Sequence, residues 1–260
     1  MARRRLDTVL TERGLAPTRS AAATSIRAGL VRIGVGGERA AKPGQLVDEG
    51  LAIEIETGRT YVSRGGLKLE AALDRLGPAV EGRACLDVGA STGGFTDCLL
   101  RRGAAAVVAV DVGRGQLDWG LRNDPRVTVL EGVNARRLGA GDLPLAPQLV
   151  TIDVSFISLA KVLAPLSVLL APEGEILAMV KPQFELGRSR VGRGGVVRDP
   201  SDRRDAVMGV AAAAAGLGLA AKGAAAAGVA GPKGNREVFL LLGRGEPVAG
   251  LAELVAEETR

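Results

Sequence analysis

Residues 84–97, Ala-Cys-Leu-Asp-Val-Gly-Ala-Ser-Thr-Gly-Gly-Phe-Thr-Asp, constrain this chain more than any other stretch. A short apolar run ends at Asp87, breaks into small and glycine positions, and gives way to a helical pattern from Phe95. That order predicts a strand, a tight loop and a helix start. Glycines let backbone N–H groups approach a ligand, and a helix N-terminus favours polar or anionic groups. A second apolar run, Val107 to Val110, ends at Asp111 about twenty residues later. In an open α/β sheet the carboxyl ends of adjacent strands form the ligand crevice, and an acid there grips a ribose diol. The glycines follow G-x-x-x-G-G (Gly89, Gly93, Gly94) with a carboxylate, Asp87, two places ahead. A pyrophosphate-binding turn has no use for that carboxylate, whereas a nucleoside with a cationic amino acid end does. The spacing therefore favours S-adenosylmethionine over a nicotinamide dinucleotide.

Around this stretch, apolar runs and helical patterns alternate from residue 65 onward. Strands are expected at 84–88, 107–111, 127–130, 148–153, 174–180, about 218–224 and 236–242. Helices are expected near 95–102, 115–122, 158–170, 201–216 and at the end of the chain. Such alternation predicts an α/β domain, a Rossmann-like, mostly parallel sheet of about seven strands covered on both faces. The domain division expected is 1–58 as a small α+β domain, 59–64 as a linker, and 65–260 as the α/β domain.

Composition removes several chemistries. The 260 residues contain no histidine, which excludes histidine triads, histidine bases and histidine metal ligands. Two cysteines, Cys85 and Cys98, make neither a metal site nor a disulfide framework, so no metal is expected and a reducing cytoplasm fits. Arg3 to Arg5 are not followed by an apolar segment of signal-peptide length. The one membrane-like stretch, 207–221, is shorter than the ~20 residues a span needs and is stopped by Lys222. A soluble protein without a membrane partner is the expectation, and nothing demands a dimer.

Net charge is +5, and residues 1–45 alone carry nine Lys/Arg against three acids. The segment pairs two short helical patterns with short alternating strands. Its motif R-L-D-x-x-L, G-L, R-S-x-A, I-x-x-G-x-V and K-P-G, from Arg5 to about Val47, resembles the compact RNA-binding fold of a ribosomal small-subunit protein, many pseudouridine synthases and tyrosyl-tRNA synthetases. The resemblance implies phosphate contacts from Arg3, Arg4, Arg5, Arg19, Arg27 and Lys42, with shape being read in preference to sequence.

Four charged residues sit at the edges of apolar elements: Lys68, Asp153, Lys181 and Glu237. A lone lysine of this kind is commonly a snorkelling side chain. Two lysines and two carboxylates converging on one crevice would suit activation of a poorly acidic hydroxyl attacking an electrophilic methyl group.

The motifs Ser63-Arg64-Gly65-Gly66-Leu67-Lys68-Leu69, the 86–95 loop, Val110-Asp111-Val112-Gly113, Asp153-Val154-Ser155-Phe156, Val180-Lys181-Pro182-Gln183-Phe184-Glu185 and Gly231-Pro232-Lys233-Gly234-Asn235-Arg236-Glu237 occur in that order. Together they resemble the haemolysin-A-type (TlyA family) ribosomal RNA methyltransferases, within the FtsJ-like RNA 2′-O-methyltransferases. The resemblance implies a catalytic tetrad of Lys68, Asp153, Lys181 and Glu237, the second lysine assisting deprotonation of a ribose 2′-hydroxyl. It implies S-adenosylmethionine as cofactor, with its methionine end over Asp87, Gly89, Ala90, Ser91, Thr92, Gly93, Gly94, Phe95 and Thr96, near Asp153. Its ribose would rest on Asp111, and its adenine near Val112 and Asn134. Ribosomal RNA within ribosomal subunits is the implied partner, and Arg64 joins the residues expected to touch it. Residues 227–230, Ala-Gly-Val-Ala, depart from the Ser-Pro common in relatives. The basic, glycine-rich stretch from Arg188 to Arg198, holding Arg190 and Arg193, follows Lys181 closely and is either a disordered surface loop or, the favoured reading, a lid that contacts RNA phosphates. Three other readings compete: a non-catalytic RNA-binding assembly factor, a membrane-active haemolysin, and a nicotinamide oxidoreductase.

Overall fold

The computed structural model describes residues 3–16, 18–27, 29–55, 61–192, 194–229, 231 and 234–260. Contacts divide the chain into two units, Met1–Arg64 and Gly65–Arg260, each with its own core.

The first unit runs β1 (Arg3–Arg5), α1 (Leu6–Glu12), α2 (Arg19–Arg27), β2 (Val31–Ile33), β3 (Glu38–Arg39), β4 (Leu46–Asp48) and β5 (Ile53–Ile55). Leu6, Val9 and Leu10 on α1 and Ala22 and Ile26 on α2 meet Val31 and Val47 of the strands in one apolar cluster. The arginine run Arg3–Arg5, expected only to contact phosphates, is a strand paired antiparallel with β4. Backbone pairing there does not depend on side-chain type, so the run carried no hydrophobic signal to announce it.

The second unit begins with α3 (Arg64–Leu76), whose first residue closes the first unit, and continues β6 (Ala84–Val88), α4 (Gly94–Arg101), β7 (Ala106–Asp111), α5 (Trp119–Arg122), β8 (Val127–Glu131), β9 (Leu149–Ile152), α6 (Ala160–Leu169), β10 (Glu175–Val180), α7 (Pro182–Glu185), α8 (Pro200–Ala215), β11 (Ala220–Ala226), β12 (Val238–Gly243) and α9 (Leu251–Glu258). The seven strands order as β11-β12-β10-β9-β6-β7-β8. The inner strands read as apolar runs, not as alternations, because both faces are covered; β9 and β12 are buried at every position. Neighbours from β8 to β10 are parallel, and β12 enters antiparallel between β10 and β11.

Two features of this sheet position the site. The chain starts at β6, moves outward through β7 and β8, then returns to β9 on the other side of β6, so a crevice opens beyond the carboxyl ends of β6 and β9. The reversal of β12 brings its first residues to that same edge. Val180 pairs with Val238, so Lys181 and Glu237 are the next residues off the ladder on neighbouring strands.

Candidate active site

Gly89 leaves β6 with φ +87°, and a Cβ at that position would overlap the Asp153 carbonyl. The ends of β6 and β9 approach this closely because the residue is glycine. Gly93 precedes α4 with φ +96°, and a Cβ there would run into Leu117 and Leu121. Ser91 adopts the left-handed region as well, at φ +49°. Its N–H donates to Asp111 Oδ2 (2.9 Å) while Gly113 N–H donates to Asp111 Oδ1 (2.6 Å). Asp111 is thereby fixed in rotamer, with each oxygen keeping acceptor capacity. Glu131 organises the next loop, accepting from Gly115 N (2.9 Å), Gln116 N (3.2 Å) and Arg122 (2.6 Å).

A cavity of about 490 Å³ opens beside these loops. Of the residues expected around a donor, Gly89, Ser91, Asp111, Val112, Asn134 and Asp153 line it. Asp87, Gly93, Gly94, Phe95 and Thr96 are buried, Ala90 is buried beside Gly89, and Thr92 is exposed, its carbonyl accepting from Asp118 N–H (3.2 Å). Asp87 is wholly buried. Thr96 Oγ1 donates to its Oδ2 (2.7 Å) and Thr151 Oγ1 approaches its Oδ1 (3.4 Å). Burial pushes its carboxyl up to about 7, opposed by the Thr96 hydrogen bond and reinforced by the charge of Asp153. Asp87 therefore ties the end of β6 to the first turn of α4, through Thr96.

A second cavity, about 370 Å³, shares Ser155 and Phe156 with the first and is lined by Lys181, Gln183, Asn235 and Glu237. The four edge residues sit here as two ion pairs. Lys68, 7% exposed on α3, lies 2.5 Å from Glu237 Oε2, itself 4% exposed. Lys181 Nζ lies 2.5 Å from Asp153 Oδ1, a charge contact and not an aligned hydrogen bond, and donates to Ser155 Oγ at 3.0 Å. Neither pair is joined within its own strand or helix; the sheet order brings them together. Among the described residues, no group of three or more acidic or thiol side chains gathers as metal ligands would. Burial pushes the Cys85 thiol up to about 12, which leaves it unreactive.

Several residues at this site carried no signal in the sequence beyond a place inside a quoted motif. Phe156, 90% exposed, stands at φ +64°, and its ring packs 5.0 Å from Phe184. Glu185 accepts from Ser158 Oγ (2.7 Å) and Leu159 N–H (2.9 Å), which ties α7 to the loop bearing Ser155; burial raises its carboxyl above the ordinary range. Asn235 donates to Gly195 O (2.8 Å) and accepts from Val197 N–H (2.9 Å). Arg203, buried, donates to Val197 O and Arg198 O. The segment expected to be a lid is thus pinned as a wall of the second cavity, through Val191 and Gly195. Arg190 within it is bound to Asp202 and Asp205. Arg188 opens the short turn Arg188–Arg190, and Arg193 lies outside the described residues.

In the first unit, the expected phosphate contacts divide. Arg4 binds Glu12 and Glu49, Arg5 and Arg19 share Asp7, and Arg3 stands 3.9 Å from Asp48. The Arg5 hydrogen bond holds the Asp7 carboxyl down at about 2. Arg27 and Lys42 are exposed with no acidic partner among the described residues. Arg64 opens α3, and residues 59 and 60 of the expected linker lie outside the described residues.

With the strand order and the two cavities in place, comparison with known proteins is decisive. The model of the FtsJ-like methyltransferase family matches residues 61–244. The chain belongs to the FtsJ-like methyltransferase family. This FtsJ-like methyltransferase also matches the S4 domain model over residues 4–53. It is 51% identical over 245 residues to the 16S/23S rRNA (cytidine-2′-O)-methyltransferase TlyA of Mycobacterium tuberculosis, covering 93% of this chain and 91% of that protein. It is 42% identical over 197 residues to Hemolysin A of Brachyspira hyodysenteriae, covering 75% and 81%. Among solved structures, it resembles a hemolysin-named protein from Streptococcus thermophilus at 40% identity and TM-score 0.77, across 99% of this chain and 96% of that one.

Proposed function

We propose that this methyltransferase transfers a methyl group from S-adenosylmethionine to the 2′-hydroxyl of a cytidine in ribosomal RNA. The observation that carries the reading is the pair of lysine–carboxylate contacts at one sheet edge, beside a cavity that ends on a fixed aspartate. The name of the relative in Mycobacterium tuberculosis supports the substrate, and the match to the S4 domain model supports RNA as partner.

The residues of the first cavity fit the donor. Asp111 offers free acceptor capacity to a ribose diol, Val112 exposes an apolar surface suited to adenine, and Gly89 leaves room for close backbone approach. When bound, the donor supplies an electrophilic methyl on a positively charged sulfur. Lys181 Nζ faces the second cavity and is the group suited to meet the 2′-oxygen. As a neutral amine it takes the hydroxyl proton, and as an ammonium it stabilises the oxyanion. Asp153 and Ser155 hold that nitrogen in place. Lys68 neutralises Glu237, so the site carries two compensated pairs and no lone buried charge.

Lys181→Ala should lower methyl transfer to ribosomal subunits by about 10²- to 10⁴-fold, the usual range for a positioned acid–base group, while donor affinity measured by calorimetry stays within about twofold. Unchanged transfer would refute the mechanism. Relatives named as hemolysins raise a membrane-active reading, but no described helix is long and apolar enough to cross a membrane.

A further inference from the structure

Lys181 leaves β10 at the cap position of α7, a helix of one turn, Pro182–Glu185. One turn has no cooperative stability of its own, so the place of α7 is set by what its side chains reach. They reach the chain between β9 and α6, and they do so in order. Lys181 lies 2.5 Å from Asp153 and donates to Ser155 at 3.0 Å, the Phe184 ring packs 5.0 Å from that of Phe156, and Glu185 meets Ser158 and Leu159. The two segments run side by side, and Glu185 closes the end away from the amine.

That closure has a firm base. Both Glu185 oxygens are used: Oε1 accepts from Leu159 N–H (2.9 Å) and Oε2 from Ser158 Oγ (2.7 Å), which in turn accepts from Ala160 N–H (3.3 Å). Leu159 caps α6 and is buried in the core with Val162 and Leu163, so Glu185 grips the fixed end of the segment. Between that anchor and the lysine's partners stands Phe156, at φ +64°. A bulky residue keeps a left-handed backbone only where its surroundings impose it. The ring is too exposed for packing alone to do so, which leaves the ties on either side.

We infer that Glu185 is a positioning residue for methyl transfer: it fixes the 153–159 segment against α7 and so keeps Asp153 and Ser155 on the Lys181 amine. The inference rests on the ribose-methylation reading above, in which that amine meets the 2′-oxygen. Without the two hydrogen bonds of Glu185, Phe156 is free to relax to a negative φ, which turns the chain directly after Ser155. Lys181 then loses the hydroxyl that orients it, and its nitrogen no longer stands at one place when substrate arrives. A misplacement of about 1 Å, caused away from the reacting atoms, can cost about 10²-fold in rate.

The test measures methyl transfer by the full chain to ribosomal subunits, with donor and subunits both saturating. Glu185→Ala should lower kcat by about 10²-fold, while calorimetry still finds a donor site in a folded protein. Glu185→Gln should stay within about threefold of wild type, because its oxygen accepts from Leu159 N–H while its NH₂ donates to Ser158 Oγ. In the Lys181→Ala background, adding Glu185→Ala should change kcat by no more than about threefold, since the group it positions is already gone. Ser158→Ala removes one of the two contacts and should lower kcat by about tenfold; it carries the test if Glu185→Ala does not fold. Wild-type kcat in Glu185→Ala or in Ser158→Ala overturns the inference. So does Glu185→Gln falling as far as Glu185→Ala, which would mean that charge is needed and not the two hydrogen bonds. A full second loss in the double variant overturns it as well, by showing a role apart from Lys181. Each of these results leaves ribose methylation standing. Unchanged transfer by Lys181→Ala, or no transfer by a wild type that binds donor, overturns the inference and the mechanism together.

Discussion

Asp87 carries two demands that pull in opposite directions: it must be buried to brace the glycine loop through Thr96, and burial disfavours its charge. An aspartate in the unfolded chain titrates near 3.9, and here it titrates near 7. Between those values the folded state binds more protons than the unfolded one. Its favourable contribution is complete below about pH 4 and is lost as pH rises through 7. Asp87→Asn keeps an acceptor for Thr96 and removes the titration. It should raise stability at pH 8 by something on the order of 3 kcal/mol and flatten the fall in Tm between pH 5 and 8 relative to wild type. An unchanged pH profile would show that Asp87 is ionised without penalty. At this scale the charged residues were legible in the sequence, because Lys68, Asp153, Lys181 and Glu237 interrupt apolar runs where a charge needs a reason. Ser155, Gln183 and Asn235 were not. A neutral polar residue in a loop has the same appearance whether it is solvated or holds two segments together, and only the hydrogen bonds at Asn235 distinguish the cases.

Between elements, the site depends on how closely strand ends can approach and on what holds the loops beyond them. Gly89→Ala would have to relieve both a positive φ and an overlap with the Asp153 backbone. It should cost about 2 kcal/mol or more and weaken donor binding, measured by chemical denaturation and calorimetry on the same preparation. Asn235→Ala leaves the Val197 N–H and the Gly195 carbonyl without their partner. It should cost roughly 1–3 kcal/mol and raise KM for ribosomal subunits more than it changes donor affinity. The α/β alternation was readable because runs such as Ile176–Val180 are apolar throughout and are bounded by polar turns. The direction of β12 was not, since Val-Phe-Leu-Leu-Leu fits a buried strand of either sense. The short helix α7 also escaped notice: Pro182 opens it, but four residues are too few to show a helical period.

For the whole chain, the basic excess of the first 45 residues is partly spent internally. Arg4, Arg5 and Arg19 brace their own unit, so replacing them should destabilise it before RNA binding can be judged. Arg27 and Lys42 have no acidic partner among the described residues. Arg27→Ala and Lys42→Ala should each weaken subunit binding and lower the slope of log K against log salt by about 1, with the melting temperature of the protein unchanged. The charge asymmetry and the motif order lay in the sequence; which arginines are paired did not, because it depends on Asp48 and Glu49, which meet Arg3 and Arg4 of β1 only once the chain folds. The reversed final strand has a consequence in time as well as space. A ribosome making this protein releases the donor-side loops of β6 and β7 about 130 residues before Glu237 emerges, going by their separation in the chain. On the mechanism proposed above, a product truncated before Glu237 keeps the donor-side loops but leaves Lys68 without its acid, so methyl transfer would switch on only with the closing segment of synthesis.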